Sequence, residues 1–239
     1  MTLRTLFVFG LLLVAAASHA GTVEEPAATV RENDARQMQI LNDGVKVLKD
    51  RHPGEALAQY FDRVIASYEV RYPAGAKASY CARSAEESLA TLIHAAQDKR
   101  EAVVVGSAWC DAYFLRAYAL VDLGRNAQAR EALEKAISMA PRNAQYVAEL
   151  ASLDRREKKW AEALTRFESA AQLARDFSPP ESKLIELGQA LRGKGYVLVE
   201  LGRLDEAASA YRQCLELNPA DKAAIAELGY VQAQRKRKN

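Results

Sequence analysis

Val121-Asp122-Leu123-Gly124-Arg125 returns further along the chain as Val199-Glu200-Leu201-Gly202-Arg203. The likeness continues: Ala129 matches Ala207, Leu133 matches Tyr211, Ala136 matches Cys214 and Pro141 matches Pro219. A third copy lies between them, carried by Ala151, Ala163, Phe167 and Ala170. In every copy small residues fall twelve and then seven positions apart: Ala117, Ala129, Ala136; Ala151, Ala163, Ala170; Gly195, Ala207, Cys214. Self-similarity at a fixed spacing marks a chain of stacked supersecondary units.

The physics of the spacing points to helical hairpins. Two antiparallel helices approach to about 8–10 Å only where small side chains meet at the crossing. Larger apolar residues fill the space between units: Tyr113, Leu120 and Leu133; Val147, Leu150 and Phe167; Leu191, Leu198 and Tyr211. Gly124 and Gly202 end the first helix of their hairpins, because glycine enters the left-handed region without a Cβ penalty. Pro141 and Pro219 stop the second helix.

These residues resemble the tetratricopeptide repeat (TPR) family, whose unit is a helix–turn–helix of about 34 residues. The resemblance implies an all-α, right-handed α-solenoid. Units fall at 110–143, 144–177 and 188–221, and 222–239 forms a capping helix with Ile225, Leu228 and Gly229 in register. It also implies that first helices line a concave groove and that fixed positions face it. Those positions are Asp111, Phe114 and Tyr118, then Gln145, Ser152, Arg155 and Arg156, then Gln189, Arg192 and Tyr196, with Tyr230 on the cap. Aromatic and arginine side chains dominate interaction hot spots. Phe114 and Tyr118 have a second reading, as core residues against the N-terminal helices. Arg155, Arg156, Lys158 and Lys159 likewise read as a solvated charge run. The Lys/Asn pattern of TPR domains that clamp a terminal carboxylate is absent, since Arg192 has no asparagine neighbours.

About ten extra residues precede the third unit. Ser178-Pro179-Pro180-Glu181 reads as an N-cap, a first-turn proline and a capping-box glutamate, so the first helix there gains about two turns. Gly195 occupies the crossing position, whereas Gly193 has no assignment from sequence. Upstream, 21–36 is expected to be flexible, and 37–109 to be a helical region with one degenerate repeat at 37–70. There Ile40, Gly44, Val47, Ala56 and Tyr60 keep register but Arg63 takes a small position. Ser84-Ala85-Glu86-Glu87 opens a helix with Leu89, Leu92, Ile93 and Ala96 on one face. Residues 102–106 read as extended, with 78–82 as a pairing partner.

The first residues carry a different signal. Arg4, an apolar run from Leu6 to Ala17 and small residues before Gly21 form a secretory signal cleaved after Ala20. The run is shorter than the ~20 residues a membrane span needs. A secreted or periplasmic chain without stable membrane insertion follows. In an oxidising compartment Cys81 and Cys110 are the candidate disulfide, with three reduced, buried thiols as the other reading.

Composition closes several routes. Lys+Arg 33 against Asp+Glu 31 leaves +2, no electrostatic footprint for nucleic acid. After cleavage only His52 and His94 remain, at unrelated positions, His94 beside an apolar stripe and read as part-buried. No nucleophile elbow, phosphate loop or Cys-x-x-Cys appears, so no catalytic, cofactor or metal residue is expected. The expectation is a non-catalytic exported adaptor that binds a protein segment in its groove. The alternatives are a structural part of a cell-envelope complex, bound through the convex face or 71–109, and, third, an enzyme or enzyme-accessory module.

Overall fold

The computed structural model describes residues 27–75 and 77–238, without the side chains of 27–31 and 238. The expected signal segment and its cleavage point lie outside the described residues. Within them the chain forms ten helices and two short strands.

Helix α1 spans Ala27–Lys49. It begins ten residues earlier than the flexible segment allowed, because Asp34 accepts the Tyr68 hydroxyl at 2.6 Å and Gln37 is buried. Helix α2 runs over 53–71 and contains a π-helical stretch at Ala56–Phe61. A π-turn inserts one residue into a helix. The buried register therefore moves on by one: Val64 is buried while Arg63 points to solvent. This is why the degenerate unit tolerates an arginine where the other copies carry alanine or cysteine.

Strand β1 (Ala78–Cys81) pairs in parallel with β2 (Ala102–Val105), and Ala78 faces Ala102. Parallel strands need a crossover, supplied here by α3 (Ala85–Gln97). Ser84 caps α3 by accepting the Glu87 amide at 3.1 Å. The Glu87 carboxylate turns to the Arg83 amide at 2.8 Å, so the reciprocal half of the expected box is displaced by one residue. The described residues leave the apolar face of α3 largely open: Leu89 is 60%, Leu92 42% and Ile93 51% exposed, and Ala96 is exposed too. Of that helix only Ala95 is buried, packed toward β2. His94 is exposed rather than part-buried. Cys81 is disulfide-bonded to Cys110, with Cα atoms 6.2 Å apart, which ties β1 to the next helix.

The repeated units follow as hairpins α4 (Ala108–Asp122) with α5 (Asn126–Met139), α6 (Ala144–Arg156) with α7 (Trp160–Phe177) and α8 (Pro180–Glu200) with α9 (Leu204–Leu217). Helix α10 (Lys222–Lys238) closes the array. All nine small residues at the crossings are buried. Gly124 and Gly202 have φ of 72° and 73°. Lys158 holds the same left-handed turn between α6 and α7 at φ 59°, a position where a side chain is strained.

Two apolar cores divide at α6. Tyr146, Leu150 and Leu153 pack toward the N-terminal helices, while Val147, Ala148 and Ala151 pack toward α7–α10. Residues spaced by three and four share a helix face, so one helix serves both cores. Asp154, fully buried, accepts Arg130 of α5 at 2.7 Å and also Arg166 of α7, clamping three helices with charge-assisted bonds.

Helix α8 has the expected extra turns, but Ser178 is not their N-cap. Pro179 holds that position without a side-chain cap, and Ser178 Oγ donates to Glu186. Gly193 gains its explanation: a Cβ there would collide with the ring of Phe167 from α7.

Candidate partner-binding groove

The first helices of the units lie side by side, and each step between neighbours is bridged by a side-chain pair. From α4 to α6 the Tyr146 hydroxyl donates to Asp111 at 2.7 Å and the Tyr118 hydroxyl donates to Glu149 at 2.8 Å. From α6 to α8 the guanidinium of Arg155 lies 4.8 Å over the Tyr196 ring. From α8 to α10 Arg192 donates to Asp221 at 2.5 Å.

These bridges divide the predicted row. Phe114 is buried, edge-on to Tyr118 at 5.0 Å and tilted against Tyr146 at 5.1 Å. It belongs to the core, so the reading of Phe114 as a contact residue is corrected. The correction has a cause: Tyr146 turns its ring toward α4 and covers it. Asp111 is also engaged internally. Burial pushes its carboxyl above the usual range, against the lowering effect of the Tyr146 and Ser107 hydroxyls.

Tyr118, Ser152, Tyr196 and Tyr230 stand at the same register, one per first helix. Tyr118 and Ser152 are half-buried; Tyr196 is 36% and Tyr230 51% exposed. Gln145, Gln189, Arg155 and Arg192 are half-buried and Arg156 is exposed. The most exposed of these side chains, Arg156, Tyr196 and Tyr230, sit on α6, α8 and α10.

Charge along this surface is partly balanced. Burial raises the Glu149 carboxyl, while the Tyr118 hydroxyl and Arg156 oppose that rise. Asp221 behaves in the opposite way. Burial pushes it up, but the Ala224 amide and Arg192 hold it below the ordinary value. Asp221 thus both N-caps α10 and anchors Arg192.

Sequence reasoning missed Tyr146, Glu149 and Asp221, which hold the row together. The first two lie at positions that look like ordinary helix interior, so no local signal marks them. It also missed a cleft of about 370 Å³ between the extra turns of α8 and the α9–α10 turn, lined by Leu184, Ile185, Arg192 and Leu217. Among the described residues no cluster of three His, Cys, Asp or Glu gathers to hold a metal ion, and no helix is long and apolar enough to cross a membrane. Cys214 is buried at its crossing position, and burial pushes its thiol up to about 11.

The fold and this row define a helical repeat array whose first helices are bridged side by side. Tetratricopeptide repeat sequence models match residues 142–220 and 111–143, so the chain carries tetratricopeptide repeats over most of its second half. No curated protein matches it. A structure of pilF from Pseudomonas aeruginosa superposes with a TM-score of 0.60 at 16% identity, over 86% of this chain and 72% of that one. The MamA RS-1 ArsTM double mutant follows at 0.52 and 14% identity, over 83% and 84%. The first TPR of Spaghetti (RPAP3), bound to the HSP90 peptide SRMEEVD, matches at 0.47 and 23% identity, over 53% and 93%. At these identities the likeness is one of fold.

Proposed function

We propose that this protein is a non-catalytic adaptor that holds a segment of a partner protein against α6, α8 and α10. The observation that carries this reading is the set of exposed or half-exposed side chains on these helices: Tyr196 and Tyr230 at the register where α6 has Ser152, with Arg155, Arg156 and Arg192 at neighbouring positions. Tyrosine and arginine supply large contact area and directed hydrogen bonds, the ingredients of interface hot spots. A repeat array holds such a row rigid, so binding costs little ordering of the receptor. The partner is a protein or peptide; the row offers no stack of cations for nucleic acid.

The chain acts outside the cytoplasm in this proposal, exported by its first twenty residues. The disulfide between Cys81 and Cys110 suits an oxidising compartment and supports that placement. Expression of the full chain in a secreting host, followed by N-terminal sequencing, is the check: Gly21 is the expected first residue, and a retained Met1 overturns export.

Partner capture tests the groove. The Tyr196→Ala/Tyr230→Ala variant is expected to lose its captured partner while keeping its helical circular dichroism; undiminished capture overturns the groove. A second reading has its own observation, the exposed Leu89, Leu92 and Ile93 on α3. An envelope partner docked there loses binding on Leu92→Glu/Ile93→Glu and ignores the tyrosine variant.

A further inference from the structure

Two buried hydrogen-bond donors, one on α6 and one on α9, find no acceptor among the described residues. Nε of Arg155 and the hydroxyl of Tyr211 are buried and have no hydrogen-bond partner among the described residues. Tyr211 is 1% exposed. Such orphans are uncommon in folded proteins, and each asks for a reason.

Gly195 and Tyr196, adjacent on α8, each carry one of the two side chains. The Tyr211 ring, from α9, lies across this glycine of α8, where a Cβ would stand 2.7 Å from two ring carbons. The next residue on α8 is Tyr196, whose ring carries the Arg155 guanidinium. Arg155 and Glu227 of α10 both act by charge on the Tyr211 hydroxyl, and Glu227 accepts no hydrogen bond from it. Arg155 makes no ion pair among the described residues, and Glu149 touches it only through space. A half-buried cation with its own Nε–H unpaired and an unpaired phenol thus pack on two consecutive residues of α8. Tyr196, under the Arg155 guanidinium and partly exposed, makes no side-chain hydrogen bond among the described residues.

We propose that Arg155, Tyr196 and Tyr211 form a subsite for a carboxylate carried on a side chain of the bound segment. The inference rests on the groove reading above and names the chemistry these donors select. Tyr196 is the cover: when its ring turns aside, the incoming carboxylate accepts from Arg155 Nε–H and from the Tyr211 O–H. A planar guanidinium directs its donors at a carboxylate, and the dry surroundings strengthen both bonds. The free protein lacks these bonds, so the ligand recovers what folding left unmade. Glu227 opposes the ligand and limits its affinity.

Random displayed peptides selected against the full chain provide the probe, and the best is remade with an amidated C-terminus. The expected result is Asp or Glu at one fixed position of the selected peptides. Tyr211→Phe and Arg155→Gln each weaken the amidated acidic peptide by about tenfold, as loss of one charge-assisted bond does. The loss on its Gln counterpart is smaller, because a neutral amide oxygen accepts a weaker bond than a carboxylate does. Glu227→Gln strengthens the acidic peptide, and Arg212→Gln, an exposed charge on α9, does nothing. Binding that requires a free C-terminus overturns the side-chain assignment. Peptides that cross-link to Tyr196 and Tyr230 yet carry no acid, or ignore Tyr211→Phe, overturn the subsite and leave the groove standing. Peptides that cross-link only elsewhere overturn the groove itself. A Tyr211→Phe protein with a raised melting midpoint and unchanged peptide affinity shows donors that serve no ligand, and it too overturns the subsite.

Discussion

Arg83 and Glu186 meet at 3.1 Å although 103 residues separate them in the chain. Arg83 follows β1 and Glu186 lies in the extra turns of α8, so this pair joins the strand–helix–strand insert to the third unit. Both side chains are largely buried, and Ser178 Oγ adds a further hydrogen bond to Glu186. The lengthened α8 and the insert, two departures from plain repeats, are therefore one feature. The longer helix reaches past its own hairpin to receive the insert.

Removing one member of a buried pair strands the other charge. Arg83→Met is expected to cost about 3 kcal/mol in urea unfolding, and the double variant Arg83→Met/Glu186→Gln less than the single losses added together.

The disulfide closes a loop with a sequence separation of 29. Chain entropy assigns such a loop about 3–4 kcal/mol. Cys81→Ser/Cys110→Ser is expected to lower the unfolding midpoint accordingly, and a thiol titration of the denatured, unreduced protein should find Cys214 alone reactive.

Lys158 sits at φ 59° with an exposed side chain, where the other two hairpins carry glycine. Lys158→Gly relieves a left-handed strain of about 1–2 kcal/mol but adds backbone freedom to the unfolded chain. A net gain of about 0.5–1 kcal/mol is expected from denaturant melts. Gly193→Ala is expected to go the other way by about 1–3 kcal/mol, since Phe167 occupies the space.

Asp111 supplies a pH test. Its carboxyl is raised in the folded protein by burial, so between the ordinary aspartate value and the raised one the native state binds more protons than the unfolded state. Stability from this group is therefore lost as pH rises through that window. Asp111→Asn keeps an acceptor for Tyr146 and has no such loss. Urea melts should show the variant gaining on the wild type from acid to neutral pH.

Much of the array was legible because its cause is local. A small residue at a helix crossing is demanded by the distance between two axes, and the demand recurs with each unit. Gly193 was not legible, because its reason is the Phe167 ring on another helix. The π-turn in α2 was not legible either, since one inserted residue leaves composition and periodicity nearly unchanged while moving burial from 63 to 64.

The row of groove positions shows the same limit. Periodicity puts Phe114 and Tyr196 on equivalent faces, yet Phe114 lies under Tyr146 while Tyr196 stays part-exposed beneath Arg155. The α3 stripe of Leu89, Leu92 and Ile93 looks in sequence like any buried helix face, and among the described residues it stays 42–60% exposed.

The amino-acid sequence alone determined the repeat, its phase, the hairpin ends and the length of α8, because spacing, glycine turns and proline stops act over a few residues. Tertiary structure alone decided which faces are covered, where Arg83 finds Glu186, and which tyrosines stay reachable. Amphipathic patterning states that a face prefers to leave water; what it meets there depends on elements a hundred residues away.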